Sequence, residues 1–202
     1  MNFVARILCA VFDCPMVLGV FLLTFSDPAN AEDWSDGRLM RALERPGHEA
    51  LMTLIARPTS SLAPFETDGC SGGLSDAWHV AARQFPDFAE AHQASPPWES
   101  CCVAHDQVYH DAGGNLDARA SFNGRLKADQ VLRSCVRATG AERVDALVQG
   151  YQVSPAQIET AYAAIAEAMF VAVRLGGGPC SGLPWRWGYG YSSCSVFTGV
   201  FD

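Results

Sequence analysis

Several features that would divide or specialise a chain are missing here. No internal repeat, low-complexity tract or block of like charge interrupts residues 32–202, which leaves one domain and removes solenoid and tail-bearing architectures. Basic excess is also missing: 14 Lys and Arg stand against 22 Asp and Glu, for a formal net charge of -8. Such a chain has little with which to neutralise phosphates, which argues against a nucleic-acid partner, and it has no general electrostatic pull toward anionic lipid. Strand-like alternation is scarce, so the expected fold class is all-α. The apolar run at 15–25 is well short of the roughly 20 residues needed to cross a bilayer, and no transmembrane span is expected in the mature chain.

What is present begins with an export signal. A basic Arg6, the apolar run and Ala29-Asn30-Ala31 ahead of Glu32-Asp33 read as a secretory segment, residues 1–31, with an A-x-A cleavage site. The expected location is therefore secreted or periplasmic, with residues 32–202 as the mature domain. Of the eight cysteines, Cys9 and Cys14 leave with the signal; Cys70, Cys101, Cys102, Cys135, Cys180 and Cys194 remain. An even number in an exported chain points to disulfides, in any of many pairings.

Periodicity predicts helices over much of the domain. The first covers about 36–55, with an interruption at Pro46-Gly47, and a loop follows at 58–64. Ser75 fits the cap of a short helix that stops by Phe85, ahead of Pro86. Ser95-Pro96-Pro97 and Gly113-Gly114 bracket the next, and Asn115 fits the cap of a longer one to about Ala138, with Gly140 just past its end. Gly124 inside that helix costs about 1 kcal/mol relative to alanine, which implies a bend or a close backbone approach. The last helix has a capping box, Ser154-Pro155-Ala156-Gln157, and a stripe of Ile158, Tyr162, Ile165, Met169 and Val173. The tail PCSGLPWRWGYGYSSC is a glycine-rich loop that needs its two cysteines to hold a shape; its Trp185, Trp187, Tyr189 and Tyr191 form either a lipid-facing rim or packing around that link.

The chemistry concentrates in ESCCVAHDQVYH, 99–110. On a helix Cys101, His105 and Tyr109 share one face, while Cys102 and Asp106 form a neighbouring row about 100 degrees away. His105 and Asp106 therefore need separate partners. An imidazole acting as general base works best with its second nitrogen held by an acceptor. Asp129 is the candidate: Leu126 and Leu132 place it on an apolar face, where a carboxylate must be paired. Asp106, near the glycine-rich Thr67–Gly73 stretch TDGCSGG, suggests a hard cation that takes carboxylate and carbonyl oxygens, such as calcium.

Cys-Cys-x-x-His-Asp-x-x-Tyr at 101–109, with an Asp six residues before a Cys at Asp129 and Cys135, resembles the paired helices of secreted phospholipases A2. Gly69-Cys70-Ser71-Gly72-Gly73 is similar to their calcium loop, and the likeness, over 67–135, is strongest to the group XII type. The resemblance implies a disulfide-linked antiparallel helix pair with a calcium loop and flanking helices. It implies His105, Asp129 and Tyr109 as catalytic residues: base, orienting partner and hydrogen-bond donor to that partner. Gly69, Ser71, Gly73 and Asp106 would be the calcium ligands, with Ser71 where the family usually has glycine. It further implies pairing of Cys70 with Cys102 and Cys101 with Cys135, leaving Cys180 with Cys194. Val108 and Ala128 stand where the family commonly has one more linked cysteine pair.

The implied activity is calcium-dependent hydrolysis of the sn-2 ester of glycerophospholipids at a membrane or micelle interface. The alternative is a catalytically silent module of the same shape that binds lipid or a protein. Zinc on Cys101, Cys102 and His105 is a minor reading, since adjacent cysteines are poorly spaced for joint ligation. His110 and Asp111 read as solvated, and His48, His79 and His92 as surface or satisfied core.

Overall fold

The computed structural model describes residues 38–70, 74–84 and 95–196. Among these the chain is all-α, with no strand: α1 (Arg38–Ile55), α2 (Leu74–Gln84), α3 (Glu99–His110), a 3₁₀ turn (Ala112–Gly114), α4 (Ala118–Glu142), α5 (Val144–Tyr151) and α6 (Pro155–Gly176). No described helix is long and apolar enough to cross a membrane. The signal segment at 1–31 lies outside the described residues.

Helix α4 is the common support, with α1, α3 and α6 packed on it. Its buried row runs Ser121, Phe122, Arg125, Ala128, Asp129, Leu132 and Val136, at the three-and-four spacing of a single helical face. Cross-contacts give the directions. Cys101 meets Cys135, His105 meets Asp129, and Tyr109 meets Arg125, so α3 and α4 run antiparallel. Glu44 with Arg125 and His48 with Ser121 set α1 antiparallel to α4. Arg174 with Asp129 and Arg143 with Tyr162 do the same for α6.

Two apolar clusters result. One gathers Trp98, Leu132, Val136, Ile158, Tyr162 and Ala166 around the Cys70, Cys101 and Cys102 sulfurs; the other gathers Leu51, Tyr109, Ala112, Ala128 and Trp187. All three disulfides form: Cys70–Cys102, Cys101–Cys135 and Cys180–Cys194. Their formation fits an oxidising compartment and leaves no thiolate for zinc on α3.

Several expected boundaries move. α1 runs unbroken through Pro46, which lies on the exposed side, while Gly47 packs so closely under the tail that an added Cβ would meet the Pro179 carbonyl at 2.9 Å. α2 begins at Leu74, so Ser75 lies inside it, not at its cap, and it ends at Gln84 as expected. α3 begins at Glu99, after Pro96-Pro97, and gives way at His110 to the 3₁₀ turn, where Gly113 and Gly114 take positive φ. Asp117, not Asn115, caps α4: its Oδ1 accepts from the Arg119 and Ala120 amides at 2.9 Å each. Asn115 instead donates to the Ala112 carbonyl at 2.8 Å and lies against Gly124, the close approach that glycine permits.

α4 also continues past Ala138 to Glu142, with Gly140 inside it, because the Tyr162 ring occupies the space a Cβ would need. The Ser154–Gln157 capping box and Pro155 at the first turn of α6 are as expected. Its most buried row is one residue further round than the apolar stripe: Ile158, Tyr162, Ala166, Phe170 and Arg174, with Ile165, Met169 and Val173 half-buried beside it. α5 carries no comparable sequence signal beyond its apolar content.

Candidate active site

Helix α3 is fixed at its start by the buried Trp98, which meets Trp78 and Tyr162 edge-on, and one turn on by the Cys101 and Cys102 disulfides. These anchors leave little freedom to the next two turns, which carry His105, Asp106, Tyr109 and His110, all buried.

His105 and Asp129 come together as expected. The imidazole Nε2 lies 2.9 Å from Asp129 Oδ1, and the Tyr109 hydroxyl donates to the same oxygen at 2.6 Å. A fully buried carboxylate with its charge can only accept, so Nε2 carries the proton and Nδ1 is left with its lone pair. Nδ1 is 3.8 Å from Asp106 Oδ1, beyond hydrogen-bond reach. The His-Asp neighbours are thus not a bonded dyad. Burial pushes His105 down, but the Asp106 and Asp129 carboxylates on either side outweigh it, and the imidazole sits above the ordinary histidine value. Burial likewise pushes Asp129 up, yet His105, Arg125 and Arg174 prevail and hold it below the usual carboxyl range. Burial, with the nearby Asp129 charge, keeps the Tyr109 phenol protonated well beyond its ordinary range.

Asp106 and Gly69 are brought together with the loop through the Cys70–Cys102 link. The Thr67 hydroxyl donates to Asp106 Oδ2 at 2.7 Å and accepts from the Gly69 amide at 3.1 Å, with Gly69 at φ +80°. Ser71 and Gly73 lie outside the described residues. Among the described residues no group of three His, Cys, Asp or Glu side chains could hold a metal, so a cation here would rest on Asp106 and backbone carbonyls. Asp106 is buried, with Oδ2 taken by the Thr67 hydroxyl, and an oxygen-seeking cation is the class of ligand that such a carboxylate beside backbone carbonyls could serve.

Four residues of the site had no place in the sequence reading as members of it. Arg174 Nη1 donates to Asp129 Oδ2 at 2.9 Å, and its Nη2 reaches Glu44 Oε1 at 2.6 Å. Arg125 Nε donates to the Tyr109 hydroxyl at 3.1 Å, its Nη1 pairs with Glu44 Oε2, and its Nη2 caps the Val173 and Arg174 carbonyls. His48, fully buried, sits with Nδ1 2.8 Å from Ser121 Oγ and Nε2 3.5 Å from Glu44. The one signal available was register: Arg125 is four residues before Asp129, and Arg174 continues the buried row of α6, so both are charged residues on a core face.

The compatibility of these charges is a matter of count. Arg125 and Arg174 oppose Glu44 and Asp129, and the cluster is neutral while His105 and His48 are neutral. Burial lowers His48 most strongly, against the pull of Glu44, and holds it below the ordinary histidine value.

The chain matches no family model, no curated sequence and no solved structure.

Around this centre the remaining expectations resolve. His110 is buried, edge-on to Phe65 at 5.5 Å and Tyr189 at 5.2 Å, which corrects the solvated reading; Asp111 is half-buried. The tail takes the packing alternative. Trp187 is fully buried, stands edge-on to Tyr109 at 4.9 Å and donates its indole N–H to Ser121, while Tyr189 donates to the Glu66 carbonyl. Trp185 lies against Gly176, and Trp185 and Tyr191 are half-buried. His79 is half-buried, and His92 lies outside the described residues.

Proposed function

We propose that this chain is an exported, calcium-dependent phospholipase A2 of the group XII kind, hydrolysing the sn-2 ester of glycerophospholipids at a membrane or micelle surface. The observation that carries the reading is the His105 Nε2 contact of 2.9 Å to a fully buried Asp129, which leaves Nδ1 as a base beside Asp106. His105 Nδ1 takes a proton from water as the water oxygen bonds to the ester carbonyl carbon. Asp129 and Asp106 stabilise the imidazolium that forms. The same proton then passes from Nδ1 to the departing glycerol oxygen as the ester C–O bond breaks, giving a fatty acid and a lysophospholipid. A positioned base of this kind typically contributes about 10² to 10⁴ in rate. Asp106 with the carbonyls of Gly69, Ser71 and Gly73 would hold calcium, whose chemistry when bound is to polarise the ester carbonyl.

The test is fatty-acid release from mixed phospholipid vesicles, with calcium or with a chelator, for the native chain and for His105→Gln. Both the chelator and the substitution are expected to abolish release. Release that survives the two changes sinks the reading.

A further inference from the structure

Five side chains from four helices close a ring of hydrogen bonds behind His105. Glu44 Oε1 accepts from Arg174 Nη2 at 2.6 Å; Arg174 Nη1 donates to Asp129 Oδ2 at 2.9 Å. Asp129 Oδ1 accepts from Tyr109 at 2.6 Å; the Tyr109 oxygen accepts from Arg125 Nε at 3.1 Å; Arg125 Nη1 returns to Glu44 Oε2. Every member is buried or nearly so. Each guanidinium uses two different nitrogens to span two acceptors, a fork that a lysine could not reproduce.

Stability is a poor account of such an arrangement, because well-packed apolar side chains often serve as well as a buried charge cluster or better. Orientation accounts for it directly. Asp129 has one oxygen committed to Arg174 and the other to Tyr109 and His105, so its carboxylate cannot turn without breaking the ring. We propose that Glu44, Arg125 and Arg174 are positioning residues that hold Asp129 at the one orientation in which His105 keeps its Nε2 proton and offers Nδ1. This rests on the reading of His105 as a base. It gives α1 and α6, which lie outside the 67–135 resemblance, a part in the site: one supplies Glu44, the other Arg174.

The test uses the full chain with its disulfides intact and two kinds of readout. Long-range ¹H–¹⁵N spectra give the His105 tautomer, and hydrolysis of dihexanoyl glycerophosphocholine below its micelle concentration gives kcat and KM separately. The native chain is expected to show one His105 tautomer, protonated at Nε2. Arg174→Lys keeps the charge and loses the fork; it is expected to mix the tautomers and lower kcat by about ten- to a hundred-fold with KM nearly unchanged. Glu44→Gln and Arg125→Lys are expected to act in the same direction and more weakly, since Glu44 reaches Asp129 through Arg174 and Arg125 through Tyr109.

A native chain with mixed tautomers overturns the proposal whether or not any variant folds. So does a folded Arg174→Lys with unchanged kcat and unchanged tautomer, and in that case lipolysis by the native chain would still stand. A native chain without lipolysis, but with a single tautomer that Arg174→Lys mixes, would instead sink the phospholipase reading and leave the positioning role.

Discussion

At Asp129 four helices exchange charge, and the arithmetic of that exchange decides what a substitution costs. Asp129→Asn leaves Arg125 and Arg174 facing Glu44 alone, an uncompensated positive charge at a fully buried position. Breaking a buried pair from one side typically costs about 3–5 kcal/mol. Arg174→Met should cost a similar amount, by leaving the opposite excess. The double variant restores the balance, so its loss should be well below the sum of the two, as a double-mutant cycle in urea would measure. Strictly additive losses would mean that Asp129 and Arg174 are not paired. Asp129 was legible because a carboxylate on an apolar face demands a partner and His105 was the obvious one. Its other partners were not, because Glu44, Arg125 and Arg174 are far apart in sequence and only tertiary packing brings them to one point.

Helix ends were legible to within a few residues, and the shifts have local causes. Asn115 has the right chemistry for a cap, but its amide is drawn to the Ala112 carbonyl in the 3₁₀ turn, and Asp117 takes the cap two residues on. Asp117→Ala should therefore cost about 1 kcal/mol in urea unfolding, and Asp117→Asn much less; equal losses would place the helix start elsewhere. Gly140 reads as a stop signal, yet serves as a seat for Tyr162. Gly140→Ala gains about 1 kcal/mol of helix propensity and loses about 1–3 from overpacking against a ring that α6 holds in place. A net destabilisation is expected, and Tyr162→Leu in the same background should relieve part of it. If Gly140→Ala stabilised the chain, the contact between α4 and α6 would be looser than the close Gly140–Tyr162 approach implies. α5, which no motif announces, follows from the same contact: the chain must turn after α4 to bring α6 back antiparallel, and Leu147 and Val148 pack inward as it does.

Across the molecule, an all-α domain stapled by three disulfides was readable from six cysteines and helical periodicity, whereas the buried charge cluster around Asp129 was not. That cluster sets how stability responds to pH. His48 is depressed first by burial, so its neutral form stabilises the fold at and above the ordinary value of 6.5, and this contribution is lost as pH falls below it. His105 is shifted the other way. Burial opposes its charge, but Asp106 and Asp129 win, so its contribution is complete below 6.5 and is lost as pH rises through the higher folded value. Their windows lie on opposite sides of 6.5. Glu44 and Asp129 are both raised by burial and lowered further by their partners, first the hydrogen bonds from His48 and His105 and then the two arginines; their contributions fade only as pH falls below the ordinary values of 4.5 and 3.8. Urea midpoints measured against pH should therefore trace a dome with its top near 6.5. In His48→Gln the acid limb should stay flat until the carboxylates begin to protonate, while the alkaline limb is unchanged. In His105→Gln the alkaline limb should flatten and the acid limb remain. A single substitution that flattened both limbs would show that the two histidines titrate as one coupled unit and not independently.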